Sequence, residues 1–248
     1  MSNPSYKIAL IGYGKMGKTI EQLAISMGHN IVAKFDSNNP LTEEKLLASS
    51  ADFAIEFTRP EAAAENISIC AKAQVPVAVG TTGWLNKLPE VKATLEANSS
   101  KMLYASNFSI GVNILFEINR KLASIMSSFP EYGVEIEEVH HTQKLDAPSG
   151  TAISLAEGIL DNIPDLNGWS LHENLKEDAD DIPIKAIRQD DVKGIHHVTY
   201  TSSIDKIEIS HEAFNRNGFA QGSILAGIFL CKQKEAGVYT IKDFFKSL

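Results

Sequence analysis

The first 109 residues alternate short apolar runs with amphipathic segments, and this alternation restricts the possible folds more than any other feature of the chain. The apolar runs are rich in β-branched residues and end at glycine or polar residues, as buried strands do. They lie within Tyr6–Gly12, Asn30–Asp36, Asp52–Thr58, Val75–Gly83 and Lys101–Ser109. Helical patterns separate them, over Lys15–Met27, from Pro60 onward and over Leu88–Ser100. Strands that alternate with helices predict an α/β fold whose parallel sheet is covered on both faces.

The second part of the chain has a different organisation. Its predicted elements are a helix over Gly111–Phe129, a strand over Gly133–His141, a helix from Gly150 and two strands within His196–Phe214 that meet at a turn near Ser203–Lys206. This region is predicted to be α+β with an open antiparallel or mixed sheet. The polar run Glu173–Pro183 predicts a solvated loop. Two later helices, Phe219–Gln233 and Ile241–Phe245, are expected to pack back on the first sheet, because apolar helices need a partner face.

The charge of the chain limits its partners. A net charge of −8 over 248 residues argues against binding to nucleic acid, although a local basic pocket could still hold a small anion. The sequence shows neither a secretory leader nor an apolar segment of the roughly 18 residues that a membrane span needs. Cys70 and Cys231 lie in apolar helical stretches without a Cys-x-x-Cys spacing, so we expect buried free thiols. These features predict a cytoplasmic protein that binds no membrane.

The first chemical motif is the segment "GYGKMG", which follows the first predicted strand and opens the first predicted helix. Glycines in a G-x-G-x-x-G pattern allow a tight turn and a close approach of the backbone to a pyrophosphate, and the helix N-terminus supplies amide donors. A generic α/β turn is the alternative. The predicted cofactor-binding residues here are Gly12, Tyr13, Gly14, Lys15, Met16 and Gly17.

Asp36 ends the second predicted strand, where a carboxylate would bind the adenine ribose 2′-hydroxyl. A carboxylate at this position repels a 2′-phosphate, and Ser37 and Asn38 offer no arginine to attract one. Lys15 and Lys34 could compensate in part. The sequence therefore predicts that NADH is favoured over NADPH.

Two further turns follow predicted strands at their carboxyl ends, where ligands of open α/β sheets gather. Threonine and asparagine side chains there could bind a carboxamide, and Phe108 could pack on a nicotinamide ring. Ordinary loops are the alternative. The predicted cofactor-binding residues in these turns are Gly80, Thr81 and Thr82 in the first and Ala105, Ser106, Asn107 and Phe108 in the second.

The segment "VHHTQKLDAPSGTA" is the candidate reaction centre. His140 and His141 point to opposite faces of a strand and so cannot serve the same purpose. Lys144 follows in a turn, and a lysine beside an imidazole suits an anionic substrate and the delivery of a proton. The amides of Gly150 and Thr151 can hold a carboxylate at the start of a helix.

Two alternatives apply to this segment. It could be only a strand, a loop and a helix capped by Asp146 or Ser149. It could also contribute to a metal site, but the spacing of the candidate ligands matches no known frame, so no metal is predicted. Those candidates are His140, His141, His196, His197 and His211.

The segment "EVHHTQKLDAPSGTA" resembles the signature of the 4-hydroxy-tetrahydrodipicolinate reductase (dihydrodipicolinate reductase) family. "GYGKMG", "EFTRPE", "GTTGW" and "ASNFSIGVN" match the family in the same order, so the resemblance spans most of the chain. The region 162–195 carries no matching motif and is expected to contain variable loops. The resemblance implies reduction of a cyclic dicarboxylate imine by hydride from NAD(P)H, in the diaminopimelate route to lysine.

The same resemblance implies a role for each site residue. His140 is the general acid, Lys144 the second proton donor, and His141, Gly150 and Thr151 bind the substrate. It also implies a Rossmann dinucleotide-binding domain over 1–108 and 217–248, and a substrate-binding domain over 109–216 whose sheet builds a homotetramer. Another reductase of this architecture would share "GYGKMG" but not the histidine segment, and a non-catalytic dinucleotide-binding regulator would not need His140 or Lys144.

Overall fold

The computed structural model describes residues 4–174 and 180–247, which form two compact units. The first unit comprises Met1–Ile110 and Arg216–Leu248, and the second comprises Gly111–Asn215. Each unit contains one β-sheet.

The first unit begins with five strands that alternate with four helices. The strands are β1 (Lys7–Ile11), β2 (Asn30–Phe35), β3 (Phe53–Glu56), β4 (Val77–Val79) and β5 (Lys101–Tyr104). The helices are α1 (Lys15–Ser26), α2 (Glu43–Ser49), α3 (Pro60–Lys72) and α4 (Leu88–Ala97). The sequence predicts all five strands and three of the helices. The additional helix, α2, follows Thr42, whose hydroxyl accepts a hydrogen bond from the Lys45 amide at 3.3 Å as its N-cap.

The second unit packs helices against a mixed sheet, as predicted. Its elements are α5 (Ile110–Met126), β6 (Gly133–His140), α6 (Gly150–Leu160), β7 (Gly168–Leu171), β8 (Asp181–Arg188), β9 (Ile195–Thr201) and β10 (Lys206–Glu212). The strand order is β10-β9-β6-β8-β7. Strand β6 pairs antiparallel with β9 and parallel with β8, so it lies at the centre of the sheet.

The prediction of a loop over Glu173–Pro183 is wrong at Asp181–Pro183, which starts strand β8, and residues 175–179 of this run lie outside the described residues. Acidic residues and a proline hide the strand in the sequence. Pro183 lies opposite Ser170 in the ladder with β7 but precedes the ladder with β6, which begins at Ile184. Region 162–195, expected to contain variable loops, also includes two strands, β7 and β8.

The chain returns to the first unit with α7 (Asn217–Lys232), β11 (Gly237–Thr240) and α8 (Ile241–Lys246). Strand β11 is an addition to the predicted elements. It joins a parallel sheet with the order β11-β5-β4-β3-β1-β2. This sheet and the mixed sheet of the second unit confirm the predicted fold class.

The first sheet is buried on both faces, which explains its continuous apolar strands. Ile8 and Leu10 of β1 belong to one core cluster with residues of α7 and α8, and Ala9 and Ile11 belong to the cluster on the other face. Cys70 is buried and free as predicted, whereas Cys231 is free but only partly buried. None of the helices in the described ranges is long and apolar enough to cross a lipid bilayer.

Candidate active site

The predicted cofactor residues of the first unit follow four parallel strands at one edge of the sheet. Gly12, Asp36, Gly80 and Ala105 come directly after β1, β2, β4 and β5. Because β2 and β3 lie on opposite sides of β1, the strand order reverses between β1 and β3. Ligands of open α/β sheets bind at such a reversal, outside the carboxyl ends of the strands.

Each glycine of the "GYGKMG" loop has a separate structural reason. Gly12 has a φ of +94°, and a Cβ there would lie 1.9 Å from the carbonyl oxygen of Phe57. A Cβ on Gly17 would lie 2.3 Å from the carbonyl oxygen of Gly12, so only glycine allows α1 to start this close to β1. Gly14 is different, because a Cβ there would meet no atom within 4 Å.

The loop therefore fits the pyrophosphate of a dinucleotide. Gly14 is the N-cap of α1, which begins at Lys15, and the first amides of a helix have no acceptor within the helix. The open space at Gly14 lets an anion reach these amides, whose partial positive charge favours it. Gly12 and Gly17 allow the tight turn, and Gly14 leaves open space for the pyrophosphate.

Asp36 and Lys34 lie near the end of β2. One oxygen of Asp36, Oδ1, accepts hydrogen bonds from the amides of Asn38 at 2.8 Å and Asn39 at 3.0 Å, which fixes the carboxylate in its turn. The Lys34 ammonium lies 2.7 Å from Glu21 Oε1 and 4.7 Å from the centre of the Tyr13 ring. The Tyr13 hydroxyl donates to Glu21 as well. The pKa of Glu21 is lowered, chiefly by its hydrogen bond to Lys34.

The two remaining turns of the first unit contain buried side chains that support the loops. The Thr81 hydroxyl accepts a hydrogen bond from the Thr58 amide at 2.7 Å, which connects the loops after β4 and β3. Phe108 is 1% exposed and packs against Phe57 at a ring distance of 6.0 Å. Its ring is part of the core of the first unit, and its contact with a nicotinamide ring stays a prediction. Ala105 is also buried, whereas Thr82 and Ser106 are exposed.

The register of the second sheet brings four polar side chains to one face. Glu138 and His140 are two residues apart on β6 and so share a face. Glu138 lies opposite His196 of β9, and His140 lies opposite Arg188 of β8. All four are neighbours across the centre of the sheet, and we call them the Glu138 cluster.

Glu138 is the centre of this cluster, and its side chain is 0% exposed. Oε1 accepts hydrogen bonds from Arg188 Nη2 and from the amide of Ser149, both at 3.1 Å. Oε2 lies 3.2 Å from His140 Nδ1 and 3.8 Å from His196 Nε2. Burial alone would raise the pKa of Glu138, but His140, the Ser149 amide and Arg188 together lower the pKa to about 2. The carboxylate is therefore negatively charged at physiological pH although it is buried.

The two histidines of the cluster have different environments. Their rings meet edge to face at 5.0 Å. Burial, followed by the charge of His140, lowers the pKa of His196 to about 3, so this ring is neutral at physiological pH. Its Nε2 lies 3.3 Å from the Ser149 hydroxyl. His140 keeps slight exposure, and its Nε2 faces Gly194, where a Cβ would lie only 3.2 Å away. Because Gly194 lacks a side chain, Nε2 is left uncovered on that side.

The loop after β6 carries the predicted lysine. Lys144 Nζ donates to both oxygens of Asp146, at 2.9 and 2.7 Å. Arg188 Nε donates to the carbonyl of Lys144 at 3.2 Å, so the same guanidinium that contacts Glu138 holds this loop. His141 is partly exposed, and its carbonyl accepts from the Lys144 amide at 3.0 Å.

Helix α6 begins directly after this loop, and Ser149, not Asp146, is its N-cap. The Ser149 hydroxyl accepts from the Ala152 amide at 3.2 Å. Gly150 is exposed and borders open space, since a Cβ there would meet no atom within 4 Å. Thr151 follows and is partly exposed. The start of α6 can therefore accept an anion at the amides of Gly150 and Thr151.

Of the five histidines considered as metal ligands, the structure brings His140 and His196 together. One nitrogen or oxygen atom from each of Glu138, His140 and His196 lies within 4.8 Å of the other two, a spacing that a cation could also use. However, the Arg188 guanidinium already balances the Glu138 charge at 3.1 Å. A further cation would have to enter beside it, against charge repulsion.

Glu138 and Arg188 were not among the residues predicted from the sequence. His196 was considered there only as a metal ligand. Glu138 could have been found, because strand periodicity places it on the same face as His140. Arg188 and His196 could not, because only the register of three strands distant in sequence makes them neighbours.

A parallel sheet with a glycine-rich turn at its reversal point, followed by a unit with a buried histidine–carboxylate cluster, defines a dinucleotide-dependent oxidoreductase. Two family models match, "Dihydrodipicolinate reductase, N-terminus" over residues 6–108 and "Dihydrodipicolinate reductase, C-terminus" over residues 111–245. The chain belongs to the dihydrodipicolinate reductase family.

Relatives agree with this membership over nearly the whole chain. The 4-hydroxy-tetrahydrodipicolinate reductase of Christiangramia forsetii is 47% identical, covering 97% of this chain and 98% of the relative. That of Rickettsia bellii is 36% identical, covering 95% and 92%. Among solved structures, the dipicolinate-bound dihydrodipicolinate reductase from Paenisporosarcina sp. TG-14 matches with a TM-score of 0.76 and 26% identity, covering 96% of this chain and 98% of that one.

Proposed function

We propose that this chain reduces the dehydrated form of 4-hydroxy-tetrahydrodipicolinate to tetrahydrodipicolinate with hydride from NAD(P)H, a step of the diaminopimelate route to lysine. One observation carries the proposal. The continuous segment from His140 to Thr151 combines an imidazole, an ammonium group and a helix N-terminus, in a chain whose relatives bear this enzyme's name over nearly their full length.

The residues of this segment have separate roles in the reaction. A nicotinamide cofactor bound by the first unit would supply the hydride to C4 of the unsaturated ring. Negative charge then develops on the conjugated system, and His140 and Lys144 supply the proton that neutralises it. His140 donates from Nε2, the nitrogen directed away from Glu138. Proton donors already held in place lower the barrier because no solvent has to reorganise.

Lys144 and the start of α6 bind the substrate carboxylates, and His141 adds a further contact. Lys144 already contacts both oxygens of the Asp146 carboxylate, which is the geometry that a substrate carboxylate would take. Because the Asp146 side chain is 60% exposed, this ion pair is weak and an incoming dicarboxylate can replace it. The neighbour from Paenisporosarcina was solved with dipicolinate, a dicarboxylate of this class.

The proposed cofactor is NADH in preference to NADPH, bound by the first unit at the residues named above. Asp36 would repel a 2′-phosphate. Lys34, the basic residue of β2, is already paired with Glu21. A steady-state comparison tests this preference. We expect a higher kcat/KM with NADH, and a clearly higher value with NADPH would contradict it.

We further propose that the second unit carries the substrate and builds a homotetramer. Strand β10 lies at the edge of its sheet with Ile207 exposed, and Ile204 in the preceding turn is 87% exposed. Unpaired edge strands and exposed apolar side chains are features of surfaces that become covered on association. Light scattering combined with size-exclusion chromatography measures the mass, and a monomer would contradict this assembly.

One assay tests the proposed activity. The substrate is generated in situ from pyruvate and aspartate semialdehyde by a coupled synthase, and the oxidation of NADH is followed by its absorbance. We expect oxidation that depends on both the synthase and this protein. No oxidation with either NADH or NADPH would reject the proposal, and cofactor binding without turnover would indicate a regulator instead.

A further inference from the structure

The Glu138 cluster contains more charge than the proposed proton transfer uses, since neither Glu138 nor Arg188 has a role in it. A fully buried carboxylate is costly unless other groups compensate it. Here Arg188 and the Ser149 amide bind one oxygen, and the second oxygen faces the Nδ1 atom of His140. The position of that second oxygen indicates what the carboxylate does.

The geometry divides the two nitrogens of His140 between two tasks. Nδ1 lies 3.2 Å from Glu138 Oε2, whereas Nε2 faces the space left by Gly194. A carboxylate at Nδ1 favours a proton on that nitrogen and stabilises the imidazolium cation. When the cation gives up a proton, the proton then leaves from Nε2, the nitrogen that is uncovered.

We propose that Glu138 is a positioning residue that holds the His140 ring through Nδ1, so that Nε2 is the proton donor to the substrate. This inference rests on the proposed function of the chain. Arg188 and the Ser149 amide fix Oε1, which leaves Oε2 directed at His140. The contact between Nδ1 and Oε2 is within ion-pair distance but lacks the alignment of a hydrogen bond. Such contacts commonly tighten when a substrate binds.

Arg188 extends the same arrangement to the second proton donor. Its Nη2 atom contacts Glu138 Oε1, and its Nε and Nη2 atoms donate to the carbonyls of Lys144 and Asp146. One guanidinium therefore connects the carboxylate behind His140 with the backbone that carries Lys144. The charged and titratable groups around the His140–His196 pair are Glu138 on β6, Arg188 on β8, His211 on β10, and Lys144 in the loop, which is paired with Asp146.

Glu138→Gln is the direct test, because the amide keeps the shape of the side chain and an acceptor for Ser149 but removes the charge. We expect kcat and kcat/KM to fall together by about 10- to 100-fold, the usual effect of losing a group that orients a functional histidine. The alkaline limb of the pH profile should move to lower pH, because a neutral amide no longer stabilises the imidazolium cation. Glu138→Asp retains the charge and should restore that limb, even where kcat stays reduced.

Glu137→Gln is the matched control. Glu137 is the adjacent residue on the opposite face of β6, where it pairs with Lys185 at 2.8 Å. The same chemical change there should leave kcat, KM and the pH profile unaltered. If Glu138→Gln matched this control, or raised KM alone, Glu138 would not position the ring.

Removing a buried charge beside Arg188 can prevent folding, so a second measurement uses the unmodified protein. Nitrogen-15 NMR of histidine-labelled protein reports which ring nitrogen is protonated, and His140→Gln assigns the signal. We expect the Nδ1–H tautomer for the neutral His140 ring at alkaline pH, and a dominant Nε2–H tautomer would overturn the proposal. This readout requires no turnover, so the positioning role and the proposed enzymatic activity can fail separately.

Discussion

The two candidate sites of this molecule are built in opposite ways. In the first unit the pyrophosphate site is made of backbone, with glycines at Gly12, Gly14 and Gly17 where any side chain would collide or fill the space. In the second unit it consists of side chains, with the Glu138 carboxylate buried beside the His140 ring. The first site depends on the absence of side chains at its glycines, and the second depends on a buried charge that the fold must compensate.

The difference predicts how each site fails. A substitution in the glycine loop acts through steric contact and therefore affects folding and cofactor binding at distinct positions. A substitution in the Glu138 cluster acts through electrostatics and therefore depends on pH. The comparison would fail if substitutions in the glycine loop had pH-dependent effects, or if substitutions in the Glu138 cluster had effects independent of pH.

The largest expected effect is in the glycine loop. Gly12→Ala should lower the free energy of unfolding of the first unit by about 3 kcal/mol or more, because it adds a collision with Phe57 to an unfavourable positive φ. Thermal unfolding followed by circular dichroism measures this loss.

Gly14→Ala is the contrasting variant in the same loop. Since a Cβ at Gly14 meets no atom within 4 Å, the melting temperature should stay near that of the unmodified protein, while the dissociation constant for NADH rises at least about tenfold. Fluorescence titration with NADH measures the affinity. A destabilised Gly14→Ala, or one with normal affinity, would show that the loop does not leave space for a pyrophosphate.

The next effect is on catalysis in the second unit. Lys144→Ala should lower kcat/KM by about 100-fold, because it removes a proton donor and a carboxylate ligand. Stability should hardly change, since Asp146, the partner of Lys144, is exposed. Lys185→Ala is the control, because it removes another ion-paired lysine, from Glu137, without touching the site. Near-normal kcat/KM for Lys144→Ala would remove Lys144 from the mechanism.

The same contrast explains what the sequence could and could not predict. The glycine loop and Asp36 each come directly after a predicted strand in the sequence, so a local motif is sufficient to find them. His140 and Lys144 are likewise found within one segment. Arg188 is not found, because acidic residues and a proline disguise the start of its strand, β8, and because its position opposite His140 depends on sheet register.

Helix α2 and strand β11 escape prediction for a related reason. Both are short, at seven and four residues, and their formation depends on packing against the sheet of the first unit rather than on their own periodicity. Phe108 is a different case. An aromatic residue at the end of a strand suggests a ligand contact, and the structure adds that its ring is buried against Phe57, which sequence alone does not indicate.

A smaller effect concerns the pH dependence of stability. His196 has a pKa of about 3 in the folded chain, below the ordinary value of 6.5, so it stays neutral when folded and gains a proton on unfolding. Its contribution is complete above pH 6.5 and is lost as the pH falls toward 3. Between pH 6.5 and 5 this amounts to about 2 kcal/mol. The lowered pKa of Glu138 stabilises the fold fully above pH 4.5, and this stabilisation is lost only as the pH falls from 4.5 toward 2.

Urea unfolding at several pH values measures this dependence. His196→Gln should lose less stability than the unmodified protein between pH 6.5 and 5, and His197→Gln should behave like the unmodified protein. His197 is the matched control because it lies next along β9, where it pairs with Glu208 at 3.3 Å. Equal slopes for His196→Gln and the unmodified protein would mean that His196 is not buried in its neutral form.

The smallest expected effect concerns the charged groups near the end of β2 in the first unit. Glu21→Gln should raise kcat/KM for NADPH relative to NADH by about two- to fivefold, because it releases the Lys34 ammonium near Asp36 for a 2′-phosphate. The effect is small because Lys34 is 43% exposed, and exposed ion pairs contribute little. Glu65→Gln, at an exposed position on α3, is the control and should leave the ratio unchanged. A shift of about 100-fold would mean that charge rather than backbone shape governs cofactor binding, and the contrast between the two sites would no longer hold.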